Sequence, residues 1–392
     1  MKSIIKKFII LILLIFIVGC DFLSSSKDLK AKRAAEAKKN KKEILIGAVA
    51  PWKKVTHKGN LNWYGIKLAL KEINSKGGIL GRKVKIIKKD DEASINKGIE
   101  IAQELSENVN VIAVIGHAYS FISIPASVIY EFNGVVMIAP SSSSPKLTQR
   151  NFKFVFRVVP NDNDMGAQLA TYASRVGYKR MMIYYIKGPY GLTLANAFEK
   201  KAQELGIEIL DRLSYDATTK ARVFYNDFSE WQENYLFDAV FLVARGPDEG
   251  AKIIKQARKA GVKVPFIGGD SLNSPLLIEV GGKAVEGTVV PAYFNPLDKR
   301  KVVQNFIKNF KTSFHKMPDT WAALYYDAAK ILFYAIKKAG TPVPEKIAET
   351  LHNMKNFEGV TGKITFTKSG DVVGKKIFIK KVINGKFIYI QN

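Results

Sequence analysis

From Glu43 onward, short β-branched runs alternate along the chain with longer stretches of helical period. Residues 44–49 read as a strand, after which Ile66, Ala69, Leu70 and Ile73 recur at i, i+3, i+4 and i+7, the spacing of one buried helix face. Residues 83–87 read as the next strand. Ser94 then stands where a helix N-cap is needed, and Ile95, Ile99, Ala102 and Leu105 share one face behind it. Two further buried strands are expected over 111–115 and 135–139. After Pro160 the alternation restarts, with strands near 181–186, 208–213, 239–243 and 265–267 and helices near 164–176, 190–205, 221–234 and 248–260. Two long helical segments, 298–314 and 319–339, and strand-like runs at 363–367, 376–380 and 387–390 finish the chain.

Such alternation implies parallel sheets with right-handed crossovers and helices on both faces. Two blocks in series predict an α/β protein of two doubly wound parallel-sheet lobes. Ligands of such folds bind beyond the carboxyl ends of the strands, so the residues just after each strand carry the functional argument. Gly77-Gly78 follows a helix rather than a strand and reads as a C-cap turn, not a phosphate loop.

The chain has 392 residues, 47% of them hydrophobic, enough for two or three ordinary domains. Its net charge of +26 raises the question of nucleic acid. Eleven of the 61 Lys/Arg and three of the 35 Asp/Glu fall in residues 1–42, and the remaining excess is scattered, without a basic stripe or aromatic-basic signature. That distribution reads as a solvated surface and excludes a nucleic-acid partner from the working hypothesis.

Lys2, Lys6 and Lys7 precede an unbroken apolar run of eleven residues, 8–18. The run is too short for a hydrocarbon core of about 30 Å but suits the h-region of an export signal. It ends in Ile17-Val18-Gly19-Cys20, which resembles the lipobox of bacterial lipoproteins, where the cysteine receives diacylglycerol and the peptide before it is removed. Residues 1–19 are accordingly read as a lipoprotein signal peptide and Cys20, the sole cysteine, as the lipidation site, so that the protein is expected to be exported and held at the membrane by lipid. Residues 20–42 are poor in apolar side chains and read as the lipidated cysteine and a flexible tether, with helical propensity in the Ala/Lys/Glu part.

Several stretches carry a resemblance. They are Glu72-Ile73-Asn74-Ser75-Lys76-Gly77-Gly78-Ile79-Leu80-Gly81-Arg82; Val114-Ile115-Gly116-His117 with Ser120 and Pro125-Ala126-Ser127; Met137-Ile138-Ala139-Pro140 to Leu147-Thr148-Gln149; and Gln256-Ala257-Arg258-Lys259-Ala260-Gly261. In order and spacing, over about residues 43–392, they look like the leucine/isoleucine/valine-binding protein family of ABC importers. The resemblance implies a type I periplasmic-binding fold in which the chain crosses three times between lobes, 43–161 with 294–373 forming lobe I and 162–293 with 374–392 lobe II. It further implies a small-molecule ligand, an amino acid first among candidates, ABC permease subunits as partners, and no cofactor.

By the same resemblance the ligand carboxylate would meet Ser120 and backbone N–H groups at a helix start, an arrangement that suits an anion. Ser120 also reads simply as an N-cap. In the run Ser141-Ser142-Ser143-Ser144, Ser141 maps to a position whose carbonyl accepts from the ligand ammonium and Ser143 to a hydroxyl residue, with Ser142 between them; a polar turn is the plainer reading. Asp270 falls where family members hold the ammonium with an acid, and a strand-end Asp is also a common cap or turn former. Tyr190 matches a tyrosine that flanks the ligand, with core packing as its alternative.

Two departures bear on the ligand. Arg245 stands where many members have an aromatic residue, implying either a polar or anionic ligand side group or an arginine turned outward. Trp52 lies in the first loop beside Pro51, but the tyrosine expected later in that loop falls near Lys58 and Gly59 and is missing. The four histidines are far apart, and neither a nucleophile elbow, a zinc motif nor a phosphate loop is present, so no catalytic or metal site is expected. The functions that remain are capture of a solute for an importer and, on the same fold, a ligand-sensing receptor acting through a separate partner.

Overall fold

The computed structural model describes residues 26–53 and 61–390. The leader 1–19, Cys20, and the loop positions Lys58 and Gly59 lie outside the described residues. The first sheet is built from β1 (Glu43–Ala50), β2 (Lys83–Asp90), β3 (Val111–Ile115), β4 (Val136–Ala139) and β5 (Val155–Arg157), in the order β2-β1-β3-β4-β5. Every neighbouring pair is parallel. All residues of β3, β4 and β5 are buried, as expected of strands covered on both faces. The covering helices on this sheet's own crossovers are α2 (Asn62–Asn74), α3 (Ile95–Glu107) and α4 (Ser120–Asn133).

The second sheet orders β15-β14-β10-β9-β8-β6-β7. Its parallel part comprises β6 (Arg180–Ile186), β7 (Glu208–Tyr215), β8 (Ala239–Val243), β9 (Phe266–Gly268) and β10 (Val289–Ala292), linked through α6 (Pro189–Glu204), α7 (Ala221–Asn234), α8 (Pro247–Lys259) and α9 (Pro275–Gly281) and preceded by α5 (Asp162–Arg175). The last strands, β14 (Phe378–Ile383) and β15 (Lys386–Ile390), add antiparallel. Between the two visits to this sheet, α10 (Lys301–Phe314), α11 (Thr320–Ala339) and α12 (Pro344–His352) return to the first lobe. There α11 lies along α2 so closely that a Cβ at Gly65 would run into the carbonyl of Ala322. The chain thus passes between lobes after β5, after β10 and before β14.

The strand expected at 363–367 is β12 (Gly362–Phe366), which forms a small antiparallel sheet with β11 (Phe357–Gly359) and β13 (Val372–Val373). One expectation is corrected. The flexible tether is in part a docked helix: residues 26–39, here α1, are helical and pack on lobe I. Apolar burial supplies little of this contact. What holds it is Arg33, fully buried, whose Nε donates to Val111 O at 2.8 Å and whose terminal nitrogens donate to the carbonyls of Ser106 and Asn133. Arg82 also donates to Ala37 O at 2.7 Å. Hydropathy is blind to such a contact because it counts an arginine only as solvent-seeking. Among the described residues no helix is long and apolar enough to cross a membrane.

Candidate functional site

Strand ends of both lobes meet at one place. Beyond β3, helix α4 opens at Ser120 with Tyr119, not Ser120, in the N-cap position and no side chain capping the first turn. Ser120 is instead a cross-link: its hydroxyl accepts from the backbone N–H of Ser144 at 3.2 Å, joining the α4 start to the loop after β4. In that loop Ser141 donates to Ala118 O at 3.0 Å and lies 3.4 Å from the Tyr325 hydroxyl. Ser142 donates to His117 O at 3.1 Å and sits 2.5 Å from Ser123 Oγ. The serine run is therefore an ordered, largely buried loop, not a free turn.

An aromatic wall adjoins it. Trp52 packs edge-on against Trp63 and Tyr325, with ring centroids 5.5 and 6.0 Å apart, and anchors its indole N–H on Lys89 O at 2.7 Å. His117 lies behind, buried, with Nδ1 2.9 Å from Asp91 and Nε2 3.2 Å from the Tyr130 hydroxyl, in keeping with a structural role.

From the second lobe, Asp270 opens the turn after β9 and is buried. Tyr190, in the first turn of α6, donates to its Oδ1 at 2.8 Å, and Tyr293, just past β10, donates to its Oδ2 at 3.1 Å. Burial pushes the Asp270 carboxyl above its ordinary range, although both tyrosines oppose the shift. The tyrosine hydroxyls are themselves driven well above theirs by burial and by that carboxylate. Among the described residues no Lys, Arg or His forms an ion pair with Asp270.

Sequence reasoning missed Asp162 and Tyr293. Asp162, in the first turn of α5, is fully buried; it accepts from the Thr193 hydroxyl, and among the described residues its Oδ1 has no partner. Its own N–H donates to Ser143 O at 3.0 Å. Burial raises its carboxyl to about 7, and the charge of nearby Asp270 adds to that. A chain of contacts consequently runs from Ser120 through the serine loop to Asp162, Thr193 and α6, and by Tyr190 to Asp270. Of the sequence-predicted residues, Trp52, Ser120, Ser141, Ser142, Ser143, Tyr190 and Asp270 all lie along it or beside it. Arg245 is set apart: its side chain is 44% exposed and pairs with Glu249 at 3.2 Å, at a rim where its charge reaches Tyr119.

Two wound lobes joined by three passages, with polar strand-end groups of both converging between them, define a receptor that holds a small molecule in a cleft. The comparisons agree. Residues 55–386 match the periplasmic binding protein family, and the chain belongs to that family of extracytoplasmic solute-binding proteins. A Leu/Ile/Val-binding protein homolog of Brucella suis is 30% identical over 333 residues, covering 83% of this chain and 87% of its own. An ABC transporter substrate-binding protein from Desulfitobacterium hafniense, solved in complex with Leu, is 36% identical with a TM-score of 0.79, covering 89% of this chain and 100% of its own. A branched-chain amino acid transporter substrate-binding protein of Streptococcus pneumoniae, solved with isoleucine, is 25% identical with a TM-score of 0.79, covering 88% and 98%.

Proposed function

We propose that the cleft captures an α-amino acid with an apolar side chain and presents it, with the lobes closed, to the permease subunits of an ABC importer, the protein being held at the membrane by lipid on Cys20. The observation that carries the ligand class is the pair of buried acids: among the described residues, Asp270 has two tyrosine donors and no cation, and Asp162 has an Oδ1 without a partner. A buried carboxylate without a cationic partner is costly, and an α-ammonium between Asp270 and Asp162 offsets that cost. The ligand carboxylate goes to the uncapped first turn of α4 with Ser120 and Ser143, where orphan N–H groups favour an anion. Ser141 and Ser142 shape the loop, and the Trp52, Trp63 and Tyr325 wall suits an apolar side chain. Arg245, paired with Glu249, offers no free charge to the ligand, which favours its outward reading. The bound relatives were solved with leucine and isoleucine, which agrees with this wall.

Calorimetric titration of the protein with the twenty amino acids is the test. L-leucine and its branched relatives should bind at micromolar concentration or below, and lysine and glutamate should not. Failure of every amino acid to bind refutes the ligand class, and preference for a charged side chain refutes the apolar pocket.

A further inference from the structure

We propose that Arg157 is a positioning residue for ligand capture: it holds the serine loop 141–144 in its binding shape and ties that shape, through Asp371, to the passages between the lobes. The inference rests on the reading that this loop meets the ligand. Arg157 ends β5 and is fully buried. Its Nη1 donates toward the carbonyls of Ser142, Ser143 and Ser144 at 3.5, 3.2 and 2.6 Å, and its Nη2 to Thr148 Oγ1 at 2.8 Å. Three successive carbonyl dipoles converging on one point repel one another, so a serine turn does not keep this curl unaided; a cation at the focus makes it favourable.

The other side of the guanidinium is a two-pronged pair with Asp371, Nε to Oδ1 at 2.6 Å and Nη2 to Oδ2 at 2.7 Å. Asp371 stands in the turn between β12 and β13, just before the third passage, and its Oδ2 also accepts from Asn161 Nδ2 at 2.9 Å, within the first passage. The turn presses on β5: Arg157 N–H donates to Gly370 O at 3.0 Å, and Gly370, at φ +81°, has no room for a Cβ against Val155 O. One carboxylate therefore fixes the arginine and two passages together. Only a planar fork spans both tasks; a lysine, with one nitrogen, reaches the carbonyls or Asp371 but not both.

The test is a binding cycle on the full-length protein, titrated with L-leucine, using Ser143→Ala, Arg157→Lys and the pair. Arg157→Lys should weaken binding at least tenfold. Ser143→Ala should cost about tenfold in the wild type and less than threefold beside Arg157→Lys, because a hydroxyl no longer held in place has little left to lose. An arginine that served the fold alone would lower the melting temperature and leave the cost of Ser143→Ala the same in both backgrounds, which overturns the proposal, as does an Arg157→Lys protein binding within twofold of wild type. If Ser143→Ala is silent in the wild type, the reading of the loop itself falls and this inference with it. Should Arg157→Lys not fold, Asp371→Asn, which keeps the shape and removes the anchoring charge, replaces it in the same cycle with the same expected and overturning results.

Discussion

The hydroxyl of Tyr190 donates to Asp270 Oδ1 across 2.8 Å, linking the first turn of α6 to the turn after β9. With Tyr293 on the other oxygen, the carboxylate is held in one orientation, both oxygens donated to by neutral groups and, among the described residues, without a cationic partner. A charge-assisted hydrogen bond in such a place contributes about 1.5–3 kcal/mol. Asp270→Asn, which keeps the shape, should therefore weaken L-leucine binding at least tenfold in calorimetry, and Asp270→Ala at least as much. Binding by Asp270→Asn within twofold of wild type would remove the ammonium from this acid.

Asp162 gives the site a pH dependence whose sign can be worked out. Burial raises its carboxyl from 3.8 to about 7, so the folded, ligand-free protein holds a proton there that the unfolded chain has released. Its contribution makes the ligand-free protein less stable as pH rises from about 4 to about 7, with no further loss above. Asp270 and Arg157 are the charged groups that act on it, in opposite directions. A ligand ammonium favours the ionised form, so amino-acid binding at pH 6 should release a proton, and affinity should rise with pH up to about 7. Titrations at pH 6 in buffers of different ionisation enthalpy measure this directly. Proton release should fall in Asp162→Asn, and equal heats in all buffers for the wild type would refute the coupling.

Helix α4, with Pro125 inside it, the three-residue β5 and the nine-residue α12 were not foreseen, but much of the remaining order of strands and helices was legible because its signal is periodicity, which a single sequence carries. So was the position of Asp270 and the serine run, since both directly follow a recognisable strand. Tyr293 was not, because β10 is four residues long and contains Pro291, a residue that argues against a strand inside a sheet. Asp162 hid as a commonplace acid in the first turn of a helix, behind Asn161, whose side chain caps that helix by accepting from Asp164 N–H at 3.1 Å. Arg157 gave no signal, since nothing local tells a buried arginine from an exposed one when its partners are carbonyls up to fifteen residues away and a carboxylate 214 residues on. Arg245 shows the converse, a residue singled out by its departure from a family pattern whose side chain pairs with Glu249 in the first turn of the helix that follows it.

Lipid attachment is expected at Cys20, the only thiol in the chain, at the end of the apolar run. Cys20→Ala should block lipid labelling and slow removal of the leader, and a processed Cys20→Ala protein should leave the membrane fraction. Metabolic labelling with a fatty acid followed by fractionation checks both. Equal labelling of wild type and variant would show that the anchor lies elsewhere or does not exist.

Helix α1 should then be a fixed part of lobe I rather than slack between lipid and receptor. Arg33 reaches Val111 O at the start of β3, the end of that strand opposite to the cleft, so α1 sits far from the ligand groups beyond Ile115. Burial lowers the Arg33 guanidinium to about 10, a cost that the hydrogen bonds to three carbonyls and the charge of Glu345 offset. Arg33→Ala strands those carbonyls, and an unsatisfied buried backbone group costs about 1–3 kcal/mol, though water entering behind the freed helix relieves part of it; a net loss of about 2 kcal/mol is expected in urea unfolding. Arg33→Met, which keeps the apolar stem, should lose nearly as much if hydrogen bonding holds the helix, and little if the stem does. Both variants should expose Lys27, Lys30 and Lys32 to trypsin and leave L-leucine affinity unchanged, because the cleft lies at the other end of the strands. Unaltered stability and protease resistance in Arg33→Ala would restore α1 to the status of a tether.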